Sequence, residues 1–229
     1  MTPVGAKVLK ALTRLPSRPP AARHRPERRP ARPTTPGRLP RYLDQGELRR
    51  FFQTIKRQGS TRDQALFSIM YRYALRAIET TYLLREDVNL ARRRITIRRA
   101  KSGESKEYSL AEDLAAPLKR YLRQRIDRGP YLFTGRESSN QVGLDKSTIR
   151  RLFKEYSSAA GLPANISSHS LRHSMAVHAR EAGWDLPALA DLLGHKSVRS
   201  TMIYAQVRSK ARDRMIEQLA RSKDVVRIP

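Results

Sequence analysis

The chain has 229 residues, enough for one substantial domain with its own core, or a smaller domain and a tail, and too few for two full domains. Its 47 Lys and Arg against 21 Asp and Glu give a formal net charge of +26, which points to a polyanion partner, nucleic acid before an anionic membrane surface. No cysteine is present, which excludes disulfide frameworks and thiolate zinc sites, and no apolar run reaches the roughly 18 to 20 residues that span a bilayer, so a cytoplasmic protein without a membrane partner is expected.

Residues 1–40 hold nine of the fourteen prolines and ten Lys or Arg with one acid, Glu27. Such a segment buries too little apolar surface to offset its ordering entropy, and it is read as a disordered basic tail of charge +9. The stretch "VGAKVLKALTRL" is cationic and acid-poor like a transit peptide, but the proline-rich run after it fits that reading less well. Residues 41–229 are read as the folded domain, still carrying +17.

Helical periodicity starts at Arg41, with Leu48, Phe51, Phe52 and Ile55 on one stripe and Asp44 placed as a cap. A second helix is predicted over 61–75, burying Leu66, Ile69, Met70 and Tyr73, and a third over 77–85. The period then shortens: "RRRITIRRAKSGESKEYSL" predicts strands 94–99 and 106–110 around a Ser-Gly turn with a lysine at each shoulder. Helices resume at 112–126 and 146–160, the latter opened by Ser147 and closed by Gly161, with "YLFTG" as a brief strand between them. The last third predicts three successive helices, two ended by Gly183 and Gly194 and the second opened by Asp185 with Pro187 in its first turn, then a further helix after 207 containing Met215, Ile216 and Leu219. The expected class is α+β, mainly α-helical, with one small antiparallel sheet.

His169 and Arg172 stand at i and i+3 at a helix start, where an anion would also meet free backbone N–H groups. His195 follows Gly194, and Tyr204 lies nine residues beyond it. Singly, each has a plain reading, as a surface pair, a capping imidazole and a core tyrosine. Together, "HSLRHS" and "LLGHKSVRSTMIYAQV" closely resemble the second box of the tyrosine recombinase (phage integrase) family. "YRYALRAIETTYLLREDVNL" resembles its first box, and the hairpin "ITIRRAKSGESKEYSL" its lysine-bearing middle element. The resemblance covers about residues 41–207 and is nearest to short single-domain members such as the fimbrial phase-switch recombinases.

That resemblance implies a tyrosine-recombinase-like catalytic domain, with Tyr204 as nucleophile and Arg76 and Arg172 on the nonbridging phosphate oxygens. Lys101 would be general acid, His169 a proton-transfer partner, His195 a further phosphate donor, and Glu79 a support for Arg76. Lys106, on the other shoulder of the turn, is the alternative lysine. The implied activity is a site-specific DNA recombinase of the integrase or invertase type, acting through a 3′-phosphotyrosyl intermediate. Its partners would be double-stranded DNA, a homotetramer on two sites and accessory DNA-bending proteins; in a bacterial or phage setting it would associate with the nucleoid. Guanidinium groups suit phosphoryl chemistry because they stay protonated and present paired donors, so neither metal nor nucleotide cofactor is expected. A relaxing enzyme of the type IB topoisomerase kind, or a DNA-binding module with a decayed site, are the alternatives. The basic tail is expected either to replace the separate helical domain of longer family members by phosphate contacts, or to be a mere spacer.

Overall fold

Asp44 opens the first helix: its carboxylate accepts from the Glu47 N–H at 2.7 Å and Glu47 returns a bond to the Asp44 N–H at 3.0 Å, the reciprocal box that satisfies two orphan donors. The helix, α1 (Gln45–Gln58), buries Leu48, Phe51 and Ile55 as its stripe predicts, while Phe52 is only partly buried. The computed structural model describes residues 39–100, 105–135, 143–207 and 216–218. The tail expected for 1–40, but for its last two residues, lies outside them, as do the turn with Lys101 and most of the helix expected after 207.

Helix α2 (Thr61–Arg72) ends three residues before the expected 75. Ala74 takes a left-handed φ of 50°, which breaks the helix, and Arg76 follows in extended form. Arg76 is thereby the residue that precedes α3 (Ala77–Thr80), a single turn where a helix over 77–85 was expected. The chain leaves it through a 3-10 turn, Arg85–Asp87, into a short strand β1 (Val88–Asn89). The expected hairpin, β2 (Arg94–Arg98) and β3 (Ser105–Ser109), therefore sits in a three-stranded antiparallel sheet of order β1-β2-β3, with Ile95 opposite Val88 on one side and Tyr108 on the other.

Helix α4 (Glu112–Gln124) is followed by two isolated bridges, Leu84 to Tyr131 and Thr134 to Gly143, in place of the strand expected at "YLFTG". Asp145, not Ser147, opens α5 (Lys146–Ala159): its carboxylate accepts the N–H groups of Ser147 and Thr148 at 3.0 and 3.1 Å. Helices α6 (Ser168–Glu181) and α7 (Leu186–Leu193) run as expected, closed by left-handed Gly183 and Gly194. The third of the three successive helices is instead a 3-10 segment, Val198–Tyr204, which packs against α6 and α7.

Two apolar clusters hold these elements. Phe51, Phe67 and Phe153 join α1, α2 and α5 with ring centroids 5.1 to 6.2 Å apart. Ala176, Val177, Leu189, Leu193 and Tyr204 join α6, α7 and the 3-10 segment. Among the described residues no helix is long and apolar enough to cross a membrane.

Candidate active site

Glu79 is the buried hub of the site. The break at Ala74 places Arg76 at the mouth of α3, where its backbone N–H donates to Glu79 Oε2 at 2.9 Å and its guanidinium to Oε1 at 2.6 Å. Arg99 donates to Oε2 at 3.2 Å, and Arg172 Nη1 stands 3.9 Å from the same oxygen. Burial alone would push this carboxyl up; the Arg76 N–H and the charges of Arg99, Arg76 and Arg172 outweigh it and hold Glu79 ionised. One buried anion among three guanidiniums leaves an excess of positive charge, and of the three only Arg76 keeps a substantial exposed part, 25% of its side chain.

Arg172 projects inward from the first turns of α6, and its Nη1 and Nη2 donate to the carbonyls of Ala74 at 2.6 Å and Leu193 at 2.5 Å. Burial and then the charge of Arg76 lower its pKa to about 9, so it remains a cation at neutral pH. His169, one residue into α6, is exposed; partial desolvation first, then Arg172 and Arg76, lower its pKa. His195 is fixed by the turn at Gly194, whose closing bond runs from the His195 N–H to the Ala190 carbonyl, and its Nδ1 pairs with Thr201 Oγ1 at 2.9 Å. Desolvation, then Arg172, Arg76 and Arg99, push its pKa down to about 4.

Tyr204 is buried, 3% exposed, and its hydroxyl meets Nδ1 of His173 at 2.5 Å. Burial drives the phenol up to about 12, against the lowering pull of Arg172. His173 is pushed down to about 4 by desolvation, then by His169, Arg172 and His195. A neutral imidazole facing a protonated phenol fits these directions, so the O–H donates and Nδ1 accepts. The rings of His169 and His173 meet edge to face at 4.6 Å, which carries the site from the buried phenol to the surface.

Arg76, Glu79, His169, Arg172, His195 and Tyr204 thus fall into one connected constellation. Lys101 lies outside the described residues; Lys106 reaches Asp191 on α7. Two members were missed from sequence. His173 follows Arg172 directly and stands at i+4 from His169, on the same helix face, so helical spacing alone could have added it. Arg99 extends the alternation of buried Ile95 and Ile97 by one more inward position, a charged residue where the pleat demands an apolar one. Among the described residues no three His, Asp or Glu side chains are grouped to hold a metal ion.

Beside Arg76 and His169 opens a cavity of about 640 Å³ whose far wall is α5, with Lys146, Arg150 and Lys154 one turn apart on one face. A guanidinium fixed by Glu79 on one side and exposed cations along the α5 wall suit an extended polyanion with one phosphate held at Arg76.

The phage integrase family profile matches residues 41–211. The chain is 33% identical over 186 residues to "Tyrosine recombinase XerA" of Pyrococcus furiosus, covering 81% of this chain and 64% of that protein. It is 33% identical over 180 residues to "Tyrosine recombinase XerC" of Neisseria meningitidis, covering 76% of this chain and 58% of that one. The structure superposes on a crystal structure of XerA recombinase with a TM-score of 0.66 at 29% identity, over 82% of this chain and 66% of that one. The chain therefore spans somewhat under two thirds of the XerA protein it matches.

Proposed function

The chain belongs to the phage integrase family, and from that membership and the site's geometry we propose that it is a site-specific DNA recombinase, a strand transferase that joins DNA to Tyr204. The observation that carries this reading is the Tyr204 hydroxyl, held at 2.5 Å by His173 within the field of Arg172. Tyr204 Oη attacks the scissile phosphorus as the bond to the 5′ oxygen breaks, leaving a 3′-phosphotyrosyl ester and a 5′-hydroxyl. Arg76 and Arg172 hold the nonbridging oxygens, where charge grows in the pentacoordinate transition state. Losing one such preorganised donor costs roughly 3 to 4 kcal/mol of barrier.

The phenol's proton has an acceptor in place at His173 Nδ1, with exposed His169 beside it as the route to solvent. An entering phosphate offsets the cations that depress both imidazoles, so their affinity for a proton rises when substrate arrives. Lys101 protonates the departing 5′ oxygen, and His195 adds a donor on the phosphate. Reversal by a second 5′-hydroxyl reseals the strand. Duplex DNA is the substrate, and a homotetramer on two sites, assisted by DNA-bending proteins, is the acting form. Lys146, Arg150 and Lys154 take flanking phosphates.

A pool of nicked duplexes with randomised cores tests this reading. A short 5′-hydroxyl fragment leaves such a substrate after cleavage and traps the labelled strand on the protein. The wild type is expected to give a covalent adduct from which the preferred core can be sequenced, and Tyr204→Phe none. An adduct retained by Tyr204→Phe assigns the nucleophile elsewhere. Joining of two separately marked duplexes then separates recombination from simple relaxation.

A further inference from the structure

We propose that Arg99 is a positioning residue of the phosphate site, acting on the substrate through Glu79. The assignment rests on the strand-transfer reading above and on three features of a side chain that is 2% exposed. Its Nη1 takes Glu79 Oε2 at 3.2 Å, the oxygen that Arg172 approaches only to 3.9 Å. Its Nη2 donates to the carbonyls of Tyr73, at 3.3 Å, and Leu192. Arg172 binds the next carbonyl along in each case, Ala74 and Leu193. Two guanidiniums thus tie the end of α2 to the end of α7, with Glu79 beside both.

The pair divides the work. Arg99 takes the carbonyls of Tyr73 and Leu192 and the closer approach to Glu79 Oε2, which leaves Arg172 at 3.9 Å, outside hydrogen-bond distance of the carboxylate. A guanidinium locked to a carboxylate has fewer donors and less net charge to offer a phosphate, so Arg99 keeps Arg172 available while Arg76 is the one paired with Oε1. The contact is tight enough to dictate a neighbour: a Cβ on Gly194 would lie 2.9 Å from Arg99 Cδ and 3.0 Å from Nε. Arg99 Nε is itself buried without a hydrogen-bond partner among the described residues, a cost that an apolar residue continuing the Ile95 and Ile97 face would not carry. Its position at the end of β2 also roots the hairpin on the same carboxylate.

Arg99→Met and Arg99→Lys are measured in the full chain, on the duplex recovered from the nicked pool, for DNA affinity, single-turnover adduct formation and thermal melting. Arg99→Met is expected to slow adduct formation by roughly 10- to 100-fold, the worth of a hydrogen bond to a charged group, while affinity changes less than about 3-fold. In a Glu79→Gln background the same substitution is expected to cost less than about 3-fold, because the carboxylate it restrains has lost its charge. Arg99→Lys, one cation without the fork, falls between, and it carries both comparisons should the Met variant melt below the assay temperature. Equal losses in the two backgrounds, or affinity falling in step with rate, overturn this assignment alone and leave a merely structural arginine. Failure of the wild type to form any adduct overturns the strand-transfer reading and this assignment with it.

Discussion

The Tyr204 hydroxyl and its partner illustrate how one contact can be secure at rest and still ready to react. With the phenol at about 12 and His173 at about 4, the proton stays on oxygen across the neutral range. The same depressed imidazoles make the fold sensitive to acid. Between the ordinary histidine value of about 6.5 and the folded values of about 4 for His173 and His195, the unfolded chain binds protons that the folded chain does not. Their contribution to stability is therefore complete above that window and is lost as pH falls through it. The melting temperature is expected to drop between pH 7 and pH 4.5, and to drop less in a His173→Asn, His195→Asn double variant; equal drops would place the acid-sensitive groups elsewhere. His173→Phe, which removes the acceptor, is expected to slow adduct formation by roughly 10-fold or more, measured in single turnover. At this scale helical spacing exposed His169 and Arg172, because i and i+3 residues share a face whatever the tertiary contacts. It exposed His173 equally, but a second imidazole beside an arginine has no distinct meaning until a phenol is seen against it. Arg99 was hidden for the opposite reason: nothing local says that a carboxylate waits at the bottom of the sheet.

Elements ended where backbone chemistry told them to, and the sequence shows that chemistry unevenly. Glycine announces a left-handed turn, so the ends of α6 and α7 at Gly183 and Gly194 were readable. Ala74 gives no such notice; it is fully buried at the α2 end with a φ of 50°, and that hidden turn is why the helix expected to 75 is shorter. The 3-10 form of Val198–Tyr204 was likewise unreadable, since one tight segment and one α-helical turn share the same apolar spacing. Two substitutions test these ends by thermal melting. Gly194→Ala meets both a left-handed φ of 60° and the Arg99 side chain, and is expected to destabilise by about 1 to 2 kcal/mol from the backbone alone, with more from the contact. Asp145→Ala removes the acceptor for two N–H groups of α5 and is expected to cost about 1 kcal/mol. Those N–H bonds, with the Ser147 hydroxyl first, hold the Asp145 carboxyl down to about 2, so the cap contributes above the usual carboxylate range and is lost as pH falls toward 2.

For the molecule as a whole, composition pointed to a polyanion partner, and the ordered motifs to the architecture that is observed, a mainly helical domain with a small sheet. The two scales meet in the charge of +26, which should be legible as a steep salt dependence of DNA binding. Replacing Lys146, Arg150 and Lys154 by alanine is expected to weaken binding evenly across sequences and to flatten the log–log salt slope by up to about 2.7, at roughly 0.9 per phosphate contact. Deleting residues 1–40 tests the tail by the same measurement, where unchanged affinity and slope would leave it a spacer.

The phenol that we propose as nucleophile is already buried in its own chain, tied to α6 through His173. If that proposal holds, a subunit built this way would cut with its own tools, neither lending its tyrosine to a neighbour nor borrowing one. Mixed assemblies of Tyr204→Phe chains with Arg172→Gln chains should therefore stay silent, since no pairing of the two cripples restores a whole centre.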